Sequence, residues 1–563
     1  MSTITLSRGN LYIGERSKID VFALSIPWLF ALVSIFGVNQ YIYGVNDQVI
    51  TIPFIKSLID PSLYPNDSLI AQQPYFYTYL WKTIAWMVSS LHIDIAPLFF
   101  ALYVLAMVTA FYGFYLVAAT LFRRRDVAML SMFLLLFNRS SLALSYTIDP
   151  LFLTRSSVLP VLVFALYAFL KDRFILSYVL LGIGFLIHPL TTIYAGAIIG
   201  VASLVHLQRI GWKRLIISGF IFLVIASPIF IWKAQYHPDS FSTFYADPRW
   251  VALMRLRSSH HLFPFSWDIK GFVEIIAIIA AFVVSWKYRP SVFHHRTVLS
   301  FIGTIMGLWV IGTIFTEFLP ISIVLQIQLF RSTVFLIYFA LMYIANYVVM
   351  EVRTQRIGLT TGIAGVLVIV ALYDVERWKY PIIGLLSMLA LIIVYQQVHR
   401  RVLSSQGLAL MIAGLTLVVG AALVVRHPYV SIANAQDDQW LDVQHWAKRS
   451  TNIADVFIVP PDSSGFRVEA ERTIYGDWKD GTQMFFNPKY GYQWFERMQK
   501  LGYTDPDSLV SDYKRVDQAT FTSIAQEARN GQHAVYVVMY ADRQLTFPQV
   551  YRNQSFAVYQ VTP

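Results

Sequence analysis

Residues 95–122 read IAPLFFALYVLAMVTAFYGFYLVAATLF. The run holds no charged side chain, and it is long enough for a helix to cross the hydrocarbon core of a bilayer. Arg123, Arg124 and Arg125 follow at once. Apolar runs of roughly 18–25 residues recur from about residue 21 to residue 425, each close to a membrane length. The composition agrees: of 563 residues 56% are hydrophobic and 14% charged, with mean hydropathy +0.54. Soluble domains carry about 25% charged residues. The chain reads as a polytopic helical membrane protein.

Reading outward from that run sets the topology. Arg8, Arg16 and Lys18 precede the first span, about 21–42, and place the N-terminus inside under the positive-inside rule. The 123–125 cluster is also inside if residues 43–122 cross once. The rival to 95–122 is Tyr75–Leu91, which is interrupted by Lys82, Thr83, Ser89 and Ser90. That stretch, and Val49–Ile59 with Phe54, Ile55, Leu58 and Ile59 at helical spacing, are expected to lie in the membrane interface. Further spans are expected near 126–140, 153–170, 174–188, 190–206, 213–232, 270–286, 297–316, 328–350, 357–373, 380–397 and 407–426. The cationic connections around Lys171/Arg173, Arg209/Lys213/Arg214, Lys287/Arg289/Arg296, Arg353/Arg356 and Arg400/Arg401 then all fall inside. Thirteen spans leave the C-terminus outside, the layout of a multi-pass plasma (inner) membrane protein with a cytoplasmic N-terminus.

The net charge of +11 is explained by these inside clusters, not by nucleic acid, and the 16% aromatic content fits interfacial belts. Absence of cysteine excludes disulfides, thiolate metal sites and cysteine nucleophiles. The first apolar run has no small-residue cleavage pattern and is expected to remain as a span. Two units result: 1–426, a transmembrane domain with a long first outer loop at 43–94, and 427–563, an extracytoplasmic α/β domain. In the latter, helices are expected at Asp437–Lys448, Tyr490–Leu501 and Gln518–Arg529. Strands are expected at Val456–Val459, Arg472–Tyr475, Ala534–Tyr540 and Phe556–Val561.

Outer loops 43–94 and 234–269 are long, so function is expected on that face. Ionisable residues at the outer span ends are Asp47, Asp149, Arg155, His188, Glu317 and Arg331, and charge at membrane depth commonly marks a site. Each has a plainer reading too. Asn46-Asp47 reads as a helix cap, and Asp60 and Asp67, beside prolines, as turn residues. Asp149, before Pro150, reads as a helix-breaking turn. Arg155 is a head-group ligand or a snorkelling arginine, and His188-Pro189 a substrate contact or a helix cap. Arg331 needs an anionic partner, either Glu317 or a lipid phosphate. Loop 234–269 adds Arg255, Arg257, His260 and His261, an anion-binding flap or a solvated loop. The two histidines lack the i,i+4 spacing of a zinc pair, so no metal is assigned.

The layout resembles the GT-C superfamily of membrane glycosyltransferases. The resemblance rests on the many spans, the acid in Tyr43-Gly44-Val45-Asn46-Asp47-Gln48, two helices in the first outer loop, and an outer C-terminal domain. Oligosaccharyltransferase catalytic subunits are most similar in gross layout. Protein O-mannosyltransferases and lipid A aminoarabinose transferases share the loop arrangement. Asp437–Pro461, Ser464-Gly465-Phe466-Arg467 and Asp477-Trp478-Lys479 resemble C-terminal domains of bacterial members. The first-loop acid is single where many relatives carry two, so a divalent metal has no paired acidic motif behind it. The Trp-Trp-Asp-Tyr-Gly signature of asparagine transfer is absent. The resemblance implies Asp47 as the first-loop acid and Asp149 as a second catalytic acid. Arg331 would contact lipid phosphate, with Arg155 or His188 beside it; Arg255 and Arg257, from the reading of loop 234–269 as an anion-binding flap, are expected as further substrate-binding residues. It implies membrane lipid and a polyprenyl-phosphate-sugar donor as partners, with a glycan, lipid or protein acceptor. The competing expectation is a non-catalytic GT-C-like subunit or a lipid-linked-sugar transporter.

Overall fold

The structure, a computed structural model, describes residues 21–236, 244–290, 293–354, 357–373, 379–399, 401–426, 430–529 and 533–561. The expected inside cations Arg8, Arg16, Lys18, Arg356 and Arg400 lie outside these residues. A helix stands at each of the thirteen expected spans, from Val21–Val33, continued as a π-turn to Val38, to Ser405–Arg426. Among the described residues, seven are long and apolar enough to cross a bilayer, including Ile95–Phe122, Trp212–Tyr236 and Ser405–Arg426. Others, such as Thr154–Leu170, Phe174–Ile187 and Pro189–Val205, are apolar but shorter. The protein is therefore a multi-pass helical membrane protein.

The axis of the bundle is Thr333–Val352, whose side chains are buried without a break from Thr333 to Val349. A helix apolar all round has to be enclosed. The Arg125–Leu136, Ile269–Tyr288 and Leu359–Leu372 helices pack around it. On the face bearing the arginine clusters, buried Asp126 takes Arg124 at 2.6 Å and Arg353 at 3.1 Å, and buried Glu351 takes Arg289 at 3.2 Å.

The C-terminal region is α/β, with a five-stranded sheet: β1 Val456–Ile458, β2 Thr473–Ile474, β3 Val535–Tyr540, β4 Gln549–Arg552 and β5 Phe556–Gln560, in the order β2-β1-β3-β5-β4. β1 runs parallel to β2 and β3, and β5 antiparallel to β3 and β4. Helices Asp438–Ser450, Pro488–Lys500 and Gln518–Ala528 stand where expected to within two residues.

The two long loops, 43–94 and 234–269, depart from expectation. Val49–Ile59 does form a helix, Gln48–Ile59, but every residue from Gln48 to Ile55 is buried. Its covering is protein, not the membrane interface: it packs on the Phe466–Ala470 helix, and Lys56 Nζ donates to the Val468 carbonyl at 2.7 Å and pairs with Glu471 at 2.6 Å. Within Tyr75–Leu91, after the 3-10 turn Ile70–Tyr75, stands an amphipathic helix, Leu80–Leu91, that leaves Trp86 and Leu91 exposed. Loop 234–269 contains the helix Pro248–Leu262, broken at Ser258. Trp250, Leu253 and Met254 enter the core formed by Met484, Tyr490 and Trp494, and Trp250 Nε1 donates to the Met484 carbonyl at 3.0 Å. The solvated-loop reading of that segment therefore falls.

Candidate functional site

Asp47 owes its place to the turn before it. Gly44 adopts φ +82° and Asn46 φ +53°, so the chain doubles back and starts the Gln48–Ile59 helix. Gly44 N–H donates to Gln48 Oε1 at 2.8 Å, and Gln48 Nε2 reaches the Phe152 carbonyl at 3.0 Å. Ile42 N–H bonds the Pro150 carbonyl at 3.0 Å. These two bonds lay the first outer loop against the segment carrying Asp149 and Arg155. On that side Tyr103 Oη donates to the Asp149 carbonyl and Tyr338 Oη to the Thr147 carbonyl, both at 2.7 Å.

The carboxylates meet on one guanidinium. Arg155 Nε and Nη2 grip Asp149 at 2.7 and 2.8 Å, and Nη1 donates to Asp47 Oδ2 at 2.9 Å. Arg155 opens the Thr154–Leu170 helix, an unfavourable end for a cation, and the two carboxylates offset that field. Asp47 Oδ1 accepts from Lys479 Nζ of the C-terminal region at 2.8 Å. The Asp47 side chain makes no capping bond, so the helix-cap reading is replaced by an ion-pair role. Burial pushes its carboxyl up, but Lys479 and Arg155 outweigh burial and hold it far below the usual carboxylate range.

All these groups line one cavity of about 690 Å³, together with His188, Arg257, His260, His261, Gln328 and Arg331. His188 caps the Pro189–Val205 helix, its Nδ1 accepting from Thr191 N–H at 3.2 Å, so the capping reading holds while its side chain also faces the cavity. Arg331 sits on the 3-10 turn Leu329–Ser332. Its Nε is buried without a hydrogen-bond partner among the described residues, as is Gln328 Oε1. Glu317 is not the Arg331 partner: it takes Arg255 at 2.7 Å and the Phe265 N–H at 2.9 Å. Arg255 is thereby held away from the cavity lining. Arg257 donates to the Trp478 carbonyl at 3.2 Å.

His261 Nδ1 lies 2.7 Å from the Ala143 carbonyl. That oxygen can only accept, so Nδ1 carries the proton and His261 Nε2 accepts from His260 Nε2 at 3.1 Å. Burial, then Arg257, Arg331 and Lys479, push His260 down to about 4, so it is neutral at pH 7. Among the described residues no three histidine or carboxylate side chains gather in a metal-holding group.

Sequence reasoning missed Lys479 as a site residue. It occurs in the Asp477-Trp478-Lys479 stretch, yet nothing in local spacing ties it to a carboxylate 432 positions earlier.

Fold and site together define a multi-pass membrane protein whose C-terminal α/β domain closes a charged cavity at the ends of its helices. A family model described as a domain of unknown function (DUF6798) matches residues 438–501, within that C-terminal domain. No curated protein matches the chain. Among solved structures it is similar to the crystal structure of ArnT from Cupriavidus metallidurans in the apo state, at 13% identity and a TM-score of 0.47, covering 96% of this chain and 97% of that one.

Proposed function

We propose that the protein is a GT-C-type glycosyltransferase that moves a sugar from a polyprenyl-phosphate donor to a hydroxyl of a glycan, lipid or protein acceptor. The cavity and C-terminal region face the extracytoplasmic side of the plasma (inner) membrane. The observation that carries this reading is the pairing, in one cavity, of a carboxylate with an arginine whose buried Nε has no hydrogen-bond partner among the described residues. Arg331, with its free Nε, holds the donor phosphate. Asp47, oriented by Arg155, accepts the acceptor proton.

In the transfer step the acceptor oxygen bonds to the anomeric carbon and its proton passes to Asp47. The bond from that carbon to phosphate oxygen breaks, and the polyprenyl phosphate leaves with the electron pair. Arg331 and Arg257 stabilise the charge that grows on it. A strongly ionised carboxylate serves here because the attacking hydroxyl becomes acidic only as its oxygen bonds to an electron-poor carbon. Asp149 does not touch substrate in this scheme; it holds Arg155.

Asp47→Asn keeps the shape and removes the base, so transfer from polyprenyl-phosphate sugars falls by about 10²–10⁴-fold, with farnesyl phosphate still bound by the folded protein. Unchanged turnover in that variant removes Asp47 from the mechanism. The double ion pair on Asp47 favours one alternative, a non-catalytic GT-C-like subunit. Wild-type protein that binds farnesyl phosphate yet transfers no sugar from any polyprenyl-phosphate donor would support it.

A further inference from the structure

A deeply buried ion cluster between the 43–94 loop and the C-terminal region lies outside the cavity lining. Arg467 is 3% exposed, and the two carboxylates it joins, Asp67 and Asp480, are 0% and 1% exposed. Its Nε donates to Asp67 Oδ2 at 2.7 Å, while Nη1 and Nη2 form a fork on Asp480 at 2.9 Å each. Neither carboxylate can turn away. Asp67 also accepts from the N–H groups of Leu69 at 2.9 Å and Ile474 at 3.1 Å, and Asp480 from Asp477 N–H at 3.4 Å. Such a cluster strongly resists loss of one partner, because the remaining charge is left buried and uncompensated.

The cluster's position in the chain is informative. Asp480 directly follows Lys479, at the start of the 3-10 turn Lys479–Phe485. Asp67 lies in the same loop as Asp47. One buried guanidinium therefore fixes the residue beside Lys479 to the segment that carries the lysine's partner.

We propose that Arg467, Asp67 and Asp480 form a positioning clamp that seats Lys479 on Asp47, making the C-terminal domain an obligatory part of the site. The clamp touches no substrate and acts through Lys479. An ammonium has three donors and spends one on Asp47, so a seated Lys479 presents positive charge to an anion in the cavity. This rests on the polyprenyl-phosphate reading for its consequence, though not for its geometry.

The natural absence of cysteine allows a test of the geometry without any substrate. In the full-length protein, Asp47→Cys with Lys479→Cys is treated with a short bis-methanethiosulfonate reagent, and bridging is read by intact mass. Bridging is expected with Arg467 present and is expected to drop several-fold in Arg467→Met. If that variant does not fold, Asp67→Asn, which leaves the Asp480 fork in place, is expected to give a partial drop. Undiminished bridging in either folded variant overturns the proposal.

A double-mutant cycle separates seating from mere folding. Arg467→Met should weaken farnesyl phosphate binding several-fold in the Lys479 chain and leave it unaltered in Lys479→Met. Equal losses in both backgrounds would overturn the clamp. Absence of farnesyl phosphate binding by the wild type would count against the donor reading alone, and the bridging result would still decide the clamp.

Discussion

At the scale of single residues the face that carries the cavity holds two carboxyls with opposite electrostatic fates. Asp47 is held ionised by Lys479 and Arg155 against the pull of burial, so its ion pairs contribute stability above the unfolded carboxyl value of about 4 and lose it only as pH falls far below that. Asp477 is the reverse: burial, then repulsion from Asp480, push its carboxyl well above the usual range. Such a group takes up a proton more readily folded than unfolded, so it destabilises the fold as pH rises from about 4 through its folded value. Asp477→Asn keeps the acceptor for Asp480 N–H, bonded at 2.9 Å, and removes that titration. Its melting temperature is therefore expected above wild type at pH 8, with the gap closing toward pH 4; thermal scans across that range check this. Arg331 yields a second expectation. Loss of a charge-assisted contact to phosphate costs about 1.5–3 kcal/mol, so Arg331→Gln should raise the Kd for farnesyl phosphate by roughly 10–100-fold, read by calorimetry. An unchanged Kd would mean that the phosphate lies elsewhere.

Elements show where single-sequence reading succeeds and where it stops. Membrane helices were legible because each carries its own signal, a long apolar run, and the run at 95–122 returns as a helix with the same ends. Edge strand β4 was not, since Gln549–Arg552 is largely exposed and shows no alternation to read. The Phe466–Ala470 and Leu509–Arg515 helices are too short for a 3.6-residue period to declare itself. The site divides likewise. Asp47, Arg155 and Arg331 stood out because charge near membrane is costly. Lys479 and the Arg467–Asp67 pair did not, because contacts across 432 and 400 residues leave no local trace. The Tyr43–Gln48 turn is the element on which this geometry depends. A Cβ at Gly44 would lie 2.4 Å from Asn434 Oδ1, on a backbone at φ +82°. A left-handed alanine costs about 1–2 kcal/mol by itself, so Gly44→Ala should destabilise by at least that amount. The Lys479 seat should loosen with it. A denaturant titration with no shift would show that the turn is not strained.

For the whole molecule, sidedness follows from counting helices between marked points. Between the 401–404 connection and the C-terminal region stands one membrane-length apolar helix, Ser405–Arg426, long enough for a single crossing. Asp47 meets Lys479 directly, so the cavity, first outer loop and sheet share one face whatever that face is. The buried Asp126 and Glu351 pairs lie with the arginine-rich connections at the other end of the helices, which the positive-inside rule assigns to the cytoplasm. Because the chain lacks cysteine, single substitutions report position cleanly. Ser555, exposed beside β5, and Ser404, exposed before the Ser405–Arg426 helix, are suitable sites. In intact cells a membrane-impermeant maleimide should label Ser555→Cys and spare Ser404→Cys, and both should label once the membrane is opened. Labelling of Ser404→Cys alone would invert the protein and put the cavity on the cytoplasmic side. A polyprenyl-phosphate sugar presented at the outer surface could then not reach Arg331, and the proposed transfer would have to be abandoned.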